Sequence, residues 1–106
     1  MTNPPEPCTP VLMEAIVKKQ AVAATYNRVE LTLAPHILYT KHGDLHVDGV
    51  TLDRDGKPPR EEKLGTFKLA GLNTVRLTPR RFATSALFEP GADRYADQTL
   101  LVVEPG

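Results

Sequence analysis

After Lys19 the spacing of apolar residues changes from every third or fourth position to every second. That switch constrains the fold more than any other feature, because a period of 3.6 belongs to a helix and a period of 2 to a strand with one buried face. Ahead of the switch, Thr9 and Pro10 read as a helix start, with Thr9 as N-cap and Pro10 in the first turn. VLMEAIVKKQ then sets Leu12, Ile16 and either Met13 or Ala15 on one stripe, and Lys18 and Lys19 complement the helix dipole in the last turn. The spacing predicts one short amphipathic helix over residues 11–19.

Beyond it the strands follow closely. Ala21 to Tyr26 reads as the first, and Asn27-Arg28 suits a tight turn. Val29, Leu31 and Leu33 alternate with Glu30, Thr32 and Ala34. Pro35 lacks the donor a ladder needs, so a bulge, bend or edge is expected there. A turn at Lys41 to Asp44 leads into LHVDGVTLD, with Leu45, Val47 and Gly49 on one face and His46, Asp48 and Val50 on the other. Asp55 to Pro59 is a loop by its turn chemistry, and the charged connector Arg60 to Lys63 opens onto GTFKLAGL. GTFKLAGL reads as a strand with Phe67 and Leu69 inward and Lys68 outward. Thr74 to Thr78 forms another short strand that ends at Pro79.

One helix followed by about five short strands predicts a mainly β fold, a small and highly bent antiparallel sheet or barrel. The 106 residues suffice for one domain with a single modest core. Three segments are expected: a flexible Pro-rich leader over 1–10, the β domain over 11–80, and a C-terminal extension over 81–106. In that extension Phe82, Leu87 and Phe88 offer packing groups, TLLVVE offers a terminal strand, and EPGADRYADQ is turn-rich.

Composition excludes several function classes. Lys+Arg and Asp+Glu stand at 13 each, so no global field recruits nucleic acid or an acidic membrane. The single Cys8 has no partner for an internal disulfide, which fits a reducing compartment. The sequence carries neither a membrane-spanning apolar run nor the features of a secretory signal, so a cytoplasmic protein with no membrane partner is expected.

Catalytic and metal signatures are weak. His42 and His46 are four apart with Asp44 and Asp48 interleaved, but one histidine belongs to a turn and the other to a strand. Asp53-Arg54-Asp55-Gly56 begins like a calcium loop, yet its twelfth position is Leu64 where a carboxylate is required. No nucleophile–base spacing or phosphate-cradling loop stands out, so no cofactor and no enzyme activity are expected. Local charge says more. Between residues 57 and 81 seven basic residues (Lys57, Arg60, Lys63, Lys68, Arg76, Arg80, Arg81) face only Glu61 and Glu62, and the acidic tail beyond compensates them. Such asymmetry reads either as a localised anion-binding face or as basic strands paired with the acidic tail.

The order of features is similar to that of the WYL domain of bacterial regulators. The resemblance runs over about residues 11–80 and rests on Ala15-Ile16 in the helix, Tyr26, Pro35, Leu45-His46-Val47 and Phe67-Lys68-Leu69-Ala70-Gly71-Leu72, in that order. It implies a five-stranded Sm-like, Src-homology-3-like barrel that senses a nucleic acid or nucleotide-like ligand in transcription regulation. Members of that family commonly sit behind a winged helix-turn-helix; with no room for a DNA-reading module before residue 11, a stand-alone barrel is expected here, with a regulator partner protein or a second copy of the chain (a homo-oligomer) as its protein partner. Leu45 and His46 replace the family's signature Trp and Tyr, and among its basic ligand-contacting positions Lys68 alone keeps a charge. The expected ligand-binding residues are therefore Lys68, Arg76, Lys63, His46 and Tyr26, on a basic face centred on Lys68 and Arg76. An interaction or oligomerisation module that has given up the ligand is the alternative.

Overall fold

A computed structural model describes residues 8–96 and 99–105. The leader through residue 7 lies outside the described residues. One helix, α1 (Cys8–Lys18), is followed by β1 (Gln20–Tyr26), β2 (Val29–Lys41), β3 (Asp44–Arg54), β4 (Leu64–Lys68), β5 (Leu72–Arg81) and β6 (Thr99–Val102). The helix begins earlier than the Thr9-Pro10 pair suggests, since Cys8 is already helical and Thr9 is therefore not its N-cap. No described helix is long and apolar enough to cross a membrane.

All strand pairings are antiparallel. They run in the order β4-β3-β2-β1-β5, and β6 adds a sixth strand by pairing with the second half of β2. The hydrogen-bonded path is open, since β4 and β5 do not pair with each other. Two-residue turns set the registers of the β1–β2 and β2–β3 hairpins, and a third closes the isolated Arg54–Lys57 bridge after β3. Asn27-Arg28, His42-Gly43 and Asp55-Gly56 each place both central residues at positive φ, between 51° and 83°. That is the type I′ geometry, whose twist matches the flanking strands.

The ladder is broken where the sequence demands it. Pro35 pairs with Gly49 and Ile37 with Asp48, so His36 is the extra residue of a β-bulge. Gly49 is needed at this crossing: a Cβ there would lie 2.6 Å from the Ala34 carbonyl oxygen, a backbone atom that has no room to move. Two expectations fail. GTFKLAGL is not one strand, because β4 stops at Lys68 and Leu69–Gly71 forms a 3-10 turn. β5 in turn runs through Pro79 rather than ending before it. The pairing with Gln20 and Val22 is irregular here, and the Thr78 hydroxyl donates to Ala21 O at 2.8 Å as a side-chain substitute for a ladder bond. Thr74, in a second irregularity of β5, sits at φ 52°, a strained conformation that costs a β-branched residue about 1–3 kcal/mol.

α1 packs Leu12, Ala15 and Ile16 against β1, β2 and β5. The segment after β5 covers the β2–β3 hairpin: Phe82 and Phe88 flank the His36 ring, Tyr95 stands edge-on to Tyr39, and Val103 donates its N–H to His36 O at 2.7 Å. Covered in this way, β2 is buried without interruption from Leu33 to Tyr39.

Candidate functional site

The β3–β4 register places His46 directly opposite Lys68. Lys68 Nζ lies 3.3 Å from Asp44 Oδ2, and the His46 ring stacks on Tyr39 with Nδ1 3.1 Å from Asp44 O. Beside Lys68 opens a cleft of about 430 Å³, within the size range of small-molecule sites. Its walls are the first turn of α1 (Cys8, Thr9), the β2–β3 turn with Asp44 and Leu45, and the link from Lys68 to Asn73. Lys68, a carboxylate and the Asn73 amide thus meet at one opening, next to the positive end of a helix.

The other expected residues are dispersed. Tyr26 closes β1 and meets Phe67 edge-to-face at 5.2 Å, lining a separate groove with Arg54. Its ring also covers Gly71, where a Cβ would come within 2.9 Å of it. Arg76 lies on β5 opposite Ala23, its guanidinium held by Thr74 O at 2.8 Å and by Glu30 at 3.7 Å. Lys63 precedes β4 and is exposed. Arg76 does not line the cleft beside Lys68, and the two pair with different carboxylates.

Among the described residues the acidic tail does not pair with the basic strands. Lys68, Arg76 and Arg80 pair with Asp44, Glu30 and Asp53, all from the first half of the chain. These pairs are about half exposed, so each contributes little beyond fixing side-chain direction. Among the described residues Glu89, Asp93 and Glu104 make no ion pair, while Arg54, Lys57, Arg60, Lys63 and Arg81 have no carboxylate within 4.0 Å.

The most connected polar group was not legible in the sequence. Asp48, fully buried, accepts hydrogen bonds from Tyr39 Oη at 2.7 Å and Tyr95 Oη at 2.5 Å. Arg94 stands 3.6 Å from the same carboxylate, donates to Tyr95 Oη at 3.2 Å and lies over the Tyr95 ring. Burial, reinforced by Asp48, pushes both phenols up to about 12. An aspartate between Val47 and Val50 was the only local signal. Tyr95 comes from 47 residues further on, in a stretch without periodicity.

No family model, curated protein or solved structure matches this chain.

Proposed function

We propose that this chain is a non-catalytic, WYL-like module on an Sm-like barrel that binds a nucleic acid or nucleotide-type anion through the cleft beside Lys68. The observation that carries this reading is the cleft itself, with a lysine on its wall and a helix start at its edge. The strand order and the 3-10 turn joining the two end strands support the barrel, as does the Tyr26–Phe67 contact that brings β4 against the end of β1. Gly71 stands where that family carries an arginine, and here the Tyr26 ring fills the space such a side chain would need. Lys68 thus carries the electrostatic contact, as a point charge rather than a bidentate fork. In this reading the module is cytoplasmic and serves transcription regulation.

Fluorescence polarisation with labelled single-stranded DNA and RNA tests it. Binding is expected at low salt and should weaken steadily as salt rises, because each neutralised phosphate releases counterions. Lys68→Glu should lower affinity about tenfold or more, consistent with losing one charge-assisted contact, and leave the thermal melt in place. Absence of binding at low salt would sink the proposal.

The second reading, an interaction or oligomerisation module, draws on β6. Leu100 and Val102 are 53% and 38% exposed on a strand that pairs along one edge only. Light scattering separates the two readings: a monomer that binds oligonucleotide favours the first, and a stable oligomer that binds none favours the second.

A further inference from the structure

We propose a second, smaller site for a free α-amino acid, in the pocket between the end of β5 and the connector that precedes β4. This pocket of about 180 Å³ shares no lining residue with the Lys68 cleft. It lies below the roughly 300–1,000 Å³ of pockets that hold drug-sized ligands, so its occupant is small.

Its walls carry opposite charges that do not satisfy each other. Arg80, Arg81 and Glu62 all line it. Arg80 is committed to Asp53 at 2.9 Å, whereas Arg81 has no carboxylate within 4.0 Å among the described residues. Glu62 borders the same small space, yet its hydrogen-bond partner is the Ser85 hydroxyl, at 2.5 Å, which fixes where the carboxylate sits. A simple anion would meet Glu62 and a simple cation would meet the two arginines. A zwitterion meets both, its carboxylate on Arg81 and its ammonium on Glu62. Val50, Leu52 and Phe82 line the same pocket and suit an aliphatic side chain.

Two polar lining residues are held by internal hydrogen bonds and keep the pocket's shape. His36, fully buried in its lining, uses both ring nitrogens: Nδ1–H donates to Ala34 O at 2.8 Å, and Nε2 accepts the Ser85 backbone N–H at 2.9 Å. The Ser85 hydroxyl donates to the Glu62 carboxylate and its oxygen accepts the Leu87 N–H at 3.1 Å, so it is held in place on the pocket wall.

An NMR titration of the intact protein with L-leucine, N-acetyl-L-leucine and 3-methylbutylamine tests the assignment. L-Leucine is expected to shift the amide signals of Arg81, Phe82 and Ser85 saturably, and the two probes lacking one charge should bind at least about tenfold more weakly, the effect of one lost charge-assisted hydrogen bond. Arg81→Ala should produce a similar loss, and Glu62→Gln, which still accepts from Ser85, should abolish the preference for leucine over its N-acetyl form. Lys68→Glu should leave leucine binding unchanged, whatever its effect on oligonucleotides. Unmoved signals at millimolar leucine, equal responses to the three probes, or unaltered binding by Arg81→Ala would each overturn the proposal.

Discussion

Asp48→Ala is expected to destabilise the protein by about 3–5 kcal/mol, the range for breaking a buried, hydrogen-bonded charge network. The substitution strands two phenol hydroxyls in a dry interior, each an unsatisfied group that costs about 1–3 kcal/mol. Arg94, half exposed, recovers water and adds little. The loss concentrates in one region, because Tyr95 connects the C-terminal segment to the β2–β3 hairpin through this carboxylate. Urea titration of the variant checks the total. A double-mutant cycle checks the cause: Tyr95→Phe should be markedly less costly in the Asp48→Ala background than in the native one. A cost below about 1 kcal/mol for Asp48→Ala would show that the network is not what holds the segment, being smaller than one stranded hydroxyl.

Stability is also expected to fall steeply in alkali, earlier than for a protein whose tyrosines are exposed. Unfolded phenols ionise near pH 10, while Tyr39 and Tyr95 are held protonated until about 12. Between those values the unfolded chain releases protons that the folded chain retains. Raising the pH therefore favours unfolding, by up to about 1.4 kcal/mol per pH unit for each phenol. Burial is the main cause for each ring and the hydrogen bond to Asp48 the second. The variant Tyr39→Phe/Tyr95→Phe should lose most of this alkaline slope even if it starts from lower stability. An unchanged slope between pH 10 and 12 would exclude the two phenols as its source.

The β1–β3 meander was legible because its signals are local. Alternation marks the strands, although β2 from Leu33 to Tyr39 and β3 from Val47 to Val50 are buried on both faces; Asn27-Arg28 and His42-Gly43 fix two of the registers, and Pro35 announces the bulge. Later elements depended on distant partners. β5 continues through Pro79 because Thr78 repairs the ladder from its side chain, and nothing in the order of residues signals that bond. Strand alternation also misled at Leu69, which is buried as expected but lies in a 3-10 turn. The sites were read less well than the fold. Charge runs count residues without locating their counterions, and nothing in the order of residues shows that Lys68 pairs with Asp44 and Arg76 with Glu30. Asp48, flanked by apolar residues, was placed correctly on a strand, but its role depends on a tyrosine that comes much later in the chain.

The Asp48 network also makes the protein its own optical probe. The chain has no tryptophan and three tyrosines, two of which share this carboxylate. A phenol bonded to a carboxylate emits weakly, and an ionised one absorbs at longer wavelength. A rise in intrinsic tyrosine emission over the contribution of Tyr26, which lies outside the network, therefore reports that residues after β5 have left the hairpin. Undocking of that segment can be followed without a label, separately from melting of the sheet.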